Sequence, residues 1–351
     1  MSRKVAVLVA GSWGTALASV LADNGHEVVI WSRNQKQVDE INNDHTNGKF
    51  LPKVILSDRI QATSSMQEAL KNAEAAVLAA PSSAMRDVAA HVGRHLEPQT
   101  LLIHATKGFE PESLKRMTRV ISEEIPSYDP ARIVVLSGPS HAEEVILHCP
   151  TTVVVAAEDT SAAEEAQDLF MSGYFRVYTN PDVTGVEIGG ALKNIIALGV
   201  GMSDGLGFGD NAKAALMTRG LAEIGRLGVE LEANPLTFAG LAGIGDLIVT
   251  CTSRHSRNWN AGYLLGQGKP LAEVLEHMGM VVEGVKTTRS AYTLARSMNV
   301  PMPITDALYA VLFEAKNPKE AVEDLMGRVR KHEIEEVAQA AASNWIQGED
   351  T

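Results

Sequence analysis

KVAVLVAGSWGTALASVLADNGHEVVIWSRN, residues 4–34, decides the fold. An apolar strand-like run is followed by a glycine-bearing turn, a helix-like segment and a second apolar run that ends in polar residues. In the dinucleotide-binding turn G-x-G-x-x-G, the first glycine permits the tight turn. The second lets the backbone approach a pyrophosphate, and the third lets helix pack on strand. Gly11 and Gly14 occupy the second and third places, and Val9 occupies the first. A β-branched residue there is costly if the turn needs positive φ, and merely crowded if the backbone stays extended.

Further strand-like runs follow at 75–80, 100–106, 132–138 and 151–157, beside those at 5–10 and 27–32. Several are near-continuous Val/Ile/Leu/Ala stretches. Such stretches suit strands of a parallel sheet covered by helices on both faces. The β-α-β-α order argues for α/β class, with an N-terminal Rossmann-like doubly wound domain. Past "VYTNPDVTG" the texture becomes helical, with glycine and proline breaks between segments. The expected division is a dinucleotide-binding domain at 1–183 and an all-helical, substrate-binding C-terminal domain at 184–351. A substrate cleft is expected at the carboxyl ends of the strands, between the domains.

The chain has 351 residues, 45% hydrophobic and 21% charged, with a net charge of −12. It is long enough for two domains. The acidic balance argues against nucleic acid or an anionic membrane as partner, while leaving room for local cations that bind a small anion. Cys149 and Cys251 are the only cysteines, and no Cys/His spacing indicates a metal site. A reducing cytoplasm is the simplest setting. No secretory leader is evident, and no apolar run reads as the ~20 residues of a stable membrane insertion.

Four stretches concentrate chemistry beside turns. In "HATKGFEPES" (104–113), Lys107 follows a strand and precedes Gly108, well placed for an anion or a carbonyl oxygen; the bland alternative is a solvated loop lysine. In "LSGPSHAEEV" (136–145), Ser140 after Gly-Pro reads as a helix N-cap. In "GVEIGGALKNIIALGVG" (185–201), Lys193 sits inside an apolar helical run, with Gly189, Gly190 and Ala197 one turn away. A charge there reaches water poorly, and burial moves a lysine toward proton-transfer chemistry. Each glycine in that helix costs roughly 1 kcal/mol relative to alanine, which argues for close approach of a ligand or another helix. In "GLAGIGDLIVTCTSRHSRNW" (240–259), Asp246 can orient a lysine or cap a helix. Ser256, Arg257 and Asn258 offer a hydroxyl, a guanidinium fork and an amide suited to phosphate. "MVVEGVKTT" (280–288) carries Glu283.

Together "AGSWGTALA", "TKGFEPES", "LSGPSHAEEV", "VEIGGALKNIIAL", "GDNAKAALMTRGLAEI", "GLAGIGDLIVTCTSRHSRNW" and "GMVVEGVKTT" resemble bacterial NAD(P)-dependent glycerol-3-phosphate dehydrogenase, from about Lys4 to about Gly327. The resemblance implies reversible reduction of dihydroxyacetone phosphate to sn-glycerol 3-phosphate with NADPH or NADH, feeding glycerophospholipid synthesis in the cytoplasm. Lys193 resembles the catalytic proton donor and acceptor. Lys107, Gly138, Ser140, Lys193, Asp246, Ser256, Arg257 and Asn258 match substrate-binding positions. Gly11, Ser12, Trp13, Gly14, Arg33, Asn34, Lys107, Ala142, Arg257, Val282 and Glu283 match the cofactor side.

An acid at the end of the second strand favours NAD, whereas arginine accommodates a 2′-phosphate. The chain has Arg33 and Asn34 there, so NADPH is expected to serve at least as well as NADH. Val9 departs from the family's glycine and is expected to weaken cofactor binding. Rival readings are a 3-hydroxyacid or 6-phosphogluconate type of dehydrogenase, and a cofactor-sensing protein without turnover. Helical second domains often offer dimer surfaces, so a homodimer is the expected assembly, although no apolar stripe in the sequence marks one.

Overall fold

The computed structural model describes residues 2–279 and 281–329, which form two compact units. The first covers Met1–Glu187 and the second begins at Ile188.

In the first unit β1 (Lys4–Leu8), α1 (Ser12–Asp23), β2 (Glu27–Trp31), α2 (Gln35–Asp44), β3 (Ile60–Thr63), α3 (Met66–Leu70) and β4 (Ala75–Leu78) follow one another. They continue into α4 (Met85–Gly93), β5 (Leu101–His104), α5 (Met117–Glu124), β6 (Ile133–Ser137), α6 (Ala142–Val145), β7 (Thr151–Ala156), α7 (Thr160–Phe170) and β8 (Phe175–Asn180). The eight strands form one sheet in the order β3-β2-β1-β4-β5-β6-β7-β8. The direction of strand addition reverses between β1 and β4, the switch point at which α/β sheets bind ligands.

The apolar runs are continuous because both faces of the sheet are covered. Val5 and Val7 of β1 join one core cluster with Leu17, Leu21 and Phe170. Ala6 and Leu8 join the other, with Met85, Val120 and Ile121. Two strands lie outside the expected set. β3 is short and alternates polar with apolar residues, and β8 is a sheet edge whose outward residues Arg176 and Tyr178 are exposed. The expectation of a parallel sheet also needs correction at one end. β7 runs antiparallel to β6, and β8 is parallel to β7. Between β6 and β7 the only helix is the four-residue α6. An antiparallel neighbour needs no crossover helix.

The second unit contains most of α8 (Val183–Gly205), then α9 (Asp210–Glu230), α10 (Asp246–Thr252), α11 (Arg257–Gly266), α12 (Leu271–Met278), α13 (Glu283–Ser297), α14 (Pro303–Phe313) and α15 (Pro318–Met326). α8 is the one described helix long and apolar enough to cross a membrane, a length the sequence reading did not find, and 94% of its apolar window is buried inside the fold. Its first turns are tied to the first unit's own residues. The buried Glu187 carboxylate pairs with Arg116, accepts the Thr118 N–H at 2.8 Å and lies 3.4 Å from the His104 ring. Burial alone would raise this carboxyl. The His104 ring and the Arg116 charge outweigh it and hold the group at about 2.

The glycines of α8 make room for α11. A Cβ on Gly201 would lie 2.0 Å from the Trp259 carbonyl oxygen, and one on Gly262 would lie 2.0 Å from that of Leu198. Gly205 and Gly266 repeat the contact one turn on, at 2.2 Å from the Tyr263 oxygen and 2.3 Å from the Met202 oxygen. The two backbones are therefore in direct contact, and their helical propensity is sacrificed for that approach.

Gly201→Ala and Gly262→Ala are expected to destabilise by about 1–3 kcal/mol each through overpacking. Gly173→Ala, which meets nothing within 4 Å, is expected to stay within about 0.5 kcal/mol of the parent. Thermal unfolding checks this; equal transition temperatures for all three variants would contradict the close approach.

Candidate active site

In the first unit the turn after β1 begins with Val9 at φ 86, in the left-handed region. The alternative left open by the sequence is thus resolved to the costly one, a β-branched residue at positive φ, worth about 1–3 kcal/mol of strain. The Val9 N–H donates to the Trp31 carbonyl at 3.1 Å, and its own carbonyl accepts from Gly11 N at 3.0 Å. That carbonyl points at α1: a Cβ on Gly14 would sit 2.3 Å from it. Gly14 is glycine for helix-on-strand contact, as expected, and Val9 is held strained by hydrogen bonds on both sides.

Gly11 is the N-cap of α1 and supplies no side-chain cap to the first-turn N–H groups. Ser12 donates through Oγ to the Phe50 carbonyl at 3.0 Å, which turns its side chain toward the 47–51 segment. Trp13 packs partly buried against the core, and its indole N–H has no hydrogen-bond partner among the described residues. An uncapped helix start with a bare glycine before it fits a pyrophosphate, through exposed amides and the helix dipole. Arg33 is exposed just beyond β2, and Asn34 caps α2 by accepting from Lys36 N at 3.1 Å. The Arg33 side chain is open to solvent, whereas the Asn34 side-chain oxygen is already used.

At the ends of β5 and β6 three expected residues come together. Lys107 Nζ donates to the Gly138 carbonyl at 3.1 Å, and Ser140 Oγ donates to the same oxygen at 2.9 Å. Gly138 is at φ 123 with its Cα against β7. Ser140 is not the N-cap expected from the sequence. His141 holds that position, and α6 starts at Ala142, which is buried. The Ser140 hydroxyl turns back to the strand end instead of forward to the helix, because the Gly138 carbonyl lies within its reach.

In the second unit Lys193 is 5% exposed, at the centre of α8. Its Nζ pairs with Asp246 Oδ1 and donates to Thr250 Oγ1 at 2.8 Å. Thr250 in turn donates to the Asp246 carbonyl at 2.6 Å. Asp246 opens α10 without serving as its cap, since Gly245 precedes it there. A single wide turn, Leu241–Gly245, delivers it, and that turn rests on α8 where a Cβ on Gly189 would lie 2.4 Å from the Ala242 oxygen. Gly189 is one helical turn before Lys193, so the glycine removes the obstacle between the lysine's helix and the carboxylate's loop. Cys251 lies buried on the same helix, its thiol pushed up to about 12 by burial, so it contributes no thiolate. Both cysteines are free.

Ser256 is the buried N-cap of α11, accepting from Trp259 N at 3.2 Å, and Arg257 is exposed at the first helical position. Asn258 is buried and bonded to Asn194 and to the Gly284 backbone. Val282 is the buried N-cap of α13, and Glu283 is its first residue. Two participants were missed in the sequence. Thr250 lies four residues after Asp246, on the same helical face, which the spacing alone could have shown. Asn194 was hidden by its neighbour Lys193, because only the fold shows that its amide is buried.

Chemically, this unit presents a buried ammonium directed by a carboxylate and a hydroxyl, beside a helix start that carries an arginine. The first can give a proton to an oxygen; the second suits a phosphate.

Two family models match the chain. One describes the N-terminus of NAD-dependent glycerol-3-phosphate dehydrogenase and matches residues 4–163; the other describes its C-terminus and matches residues 182–323. A glycerol-3-phosphate dehydrogenase [NAD(P)+] of Bacillus cereus (strain AH187) is 61% identical over 334 residues, covering 95% of this chain and 98% of that protein. One from Lysinibacillus sphaericus (strain C3-41) is 58% identical, covering 95% and 99%. The crystal structure of glycerol-3-phosphate dehydrogenase from Coxiella burnetii superposes with a TM-score of 0.89 at 35% identity, covering 93% of this chain and 99% of that one.

Asp246→Asn should leave the Lys193 ammonium buried without its counter-charge and cost about 3–5 kcal/mol of unfolding free energy. Lys193→Met combined with Asp246→Asn should recover most of that loss, because no lone charge is left inside. Denaturant unfolding checks both. A double variant as unstable as the sum of its parts would show that pairing is not what the carboxylate provides.

Proposed function

The chain belongs to the NAD-dependent glycerol-3-phosphate dehydrogenase family, and from that premise we propose how its residues carry the reaction. The protein is an NAD(P)-dependent oxidoreductase that interconverts dihydroxyacetone phosphate and sn-glycerol 3-phosphate. The single observation that carries the chemical reading is Lys193, a buried ammonium directed by Asp246 and Thr250.

The residues that would hold the cofactor are those of the Gly11–Gly14 turn, Ser12 and Trp13 among them, with Arg33, Asn34, Lys107, Ala142, Arg257, Val282 and Glu283. When bound, the nicotinamide supplies the hydride. Lys193 stabilises the negative charge that develops on the carbonyl oxygen and gives that oxygen a proton, and the reverse reaction returns the proton to the amine. Asp246 and Thr250 keep the ammonium in one direction, so little reorganisation is needed at the moment of transfer. Arg257, with Ser256, Asn258 and Lys107, holds the phosphate, so affinity comes from the end of the substrate that does not react. Gly138 and Ser140 complete the substrate contacts. In this reading the setting is the cytoplasm, the product serves glycerophospholipid synthesis, and the assembly is a homodimer, which sedimentation would check.

The strain at Val9 deepens the expectation about the cofactor. At φ 86 Val9 packs its isopropyl group, partly buried, against the core cluster of Leu8 and Met85, at the place where the resemblance expects a glycine. Val9→Gly trades that group and some packing for relief of strain.

The test is absorbance of the reduced nicotinamide with purified protein and dihydroxyacetone phosphate, NADPH and NADH run in parallel. Turnover with the phosphorylated ketone and none with unphosphorylated dihydroxyacetone is expected; turnover with a 3-oxoacid instead would overturn the reading. NADPH is expected to match or exceed NADH in kcat/KM, and an NADH preference of about tenfold or more would remove the role given to Arg33. In the same assay Val9→Gly is expected to lower the cofactor KM; an unchanged or higher value contradicts the account of Val9.

A further inference from the structure

Asn258 does not stand as a lone amide at the head of α11. Its Nδ2 donates to Asn194 Oδ1 at 2.9 Å, and its Oδ1 accepts the Gly284 N–H at 2.8 Å, with both asparagines buried. The chain thus runs from α8, at the residue after Lys193, through α11, to the first turn of α13. Such a turn has N–H groups with no partner in their own helix, and Asn258 satisfies one of them. α13 is seated closely as well. A Cβ on Gly284 would lie 2.6 Å from the Asn194 carbonyl oxygen and 2.9 Å from Asn258 Oδ1. Gly284 is further held by Thr288, whose Oγ1 donates to its carbonyl at 2.7 Å. Val282, the N-cap residue of this helix, supplies no side-chain cap of its own.

A carboxamide has two acceptor lone pairs and two N–H groups. The carbonyl of Asn258 and one of its N–H groups are engaged within the protein, in a buried network where an unmade bond is costly. We propose that Asn258, besides the phosphate contact assigned to it above, is a positioning residue. It acts through Asn194 and Gly284, locking the turn that carries Lys193 to the turn that opens with Val282 and Glu283. The lysine that moves the proton and the segment assigned to the cofactor then hold one register. The inference deepens the proposed function and rests on its assignment of Lys193 to proton transfer and of Val282 and Glu283 to the cofactor side. It differs from a phosphate contact in its consequence: breaking the link must be felt by the cofactor before any substrate is present.

The experiment compares the parent with Asn258→Ala, Asn194→Ala and Gly284→Ala. NADPH affinity is titrated by protein fluorescence without substrate, and steady-state kinetics and thermal unfolding are recorded on the same preparations. Loss of one buried hydrogen bond corresponds to about fivefold in an equilibrium constant. All three variants are therefore expected to raise the NADPH Kd by about fivefold or more and to lower kcat. Gly284→Ala is the sharpest arm, since it removes no polar group. If Asn258→Ala fails to fold, Asn194→Ala and Gly284→Ala carry the test alone. A raised KM for dihydroxyacetone phosphate with an unchanged NADPH Kd in Asn258→Ala would overturn the proposal, as would parental behaviour of the other two alanine variants. A parent protein that neither binds NADPH nor reduces dihydroxyacetone phosphate would instead sink the underlying functional reading.

Discussion

An ammonium inside an apolar helix bundle is tolerable only if a counter-charge comes to it, and much of the second unit serves that condition. Lys193 is 5% exposed at the middle of α8. Its carboxylate arrives on a different element, so two backbones must approach closely. Gly189 lets the Leu241–Gly245 turn rest on α8, and that turn sets Asp246 at the start of α10. Thr250, one turn along α10, closes the arrangement through its hydroxyl. The glycine contacts between α8 and α11 extend the same logic, bringing the helix that starts with Arg257 against the lysine's own helix. Helix propensity is given up along α8 in exchange for a directed charge.

The first unit meets a different constraint. A turn at the switch point of a parallel sheet must leave backbone amides uncovered, and Gly11 ahead of α1 does so. Here the chain carries a visible strain, Val9 at φ 86, held by hydrogen bonds to Trp31 and Gly11. Strain of this kind persists only where surrounding contacts over-determine the backbone, and it gathers at functional turns.

Legibility followed the physics of each signal. Buried strands and the long apolar helices could be read because continuous Val/Ile/Leu runs leave few alternatives. β3 and β8 escaped because edge strands carry polar alternation, and the antiparallel direction of β7 escaped because its buried Thr151–Ala156 run is as continuously apolar as those of the parallel strands. Lys193 was legible because a charge in an apolar run is rare, and Asp246 because of the glycine turn before it. Ser140 misled: a serine after Gly-Pro reads as a cap, yet the nearby Gly138 carbonyl takes its hydroxyl. The polar pairing of Asn194 and Asn258 joins residues 64 apart in the chain, which no local pattern announces.

The measurement that tests the central claim most directly is single-turnover oxidation of NADPH by dihydroxyacetone phosphate, comparing the parent with Lys193→Met. Methionine keeps the length and apolar packing of the side chain while removing the proton. The account predicts a protein that is destabilised by the Asp246 carboxylate left without its counter-charge, yet folds, binds NADPH and reduces substrate at least about a hundredfold more slowly, the usual worth of a positioned general acid. A Lys193→Met protein that turns over at the parental rate would contradict the assignment of the buried ammonium to the chemistry.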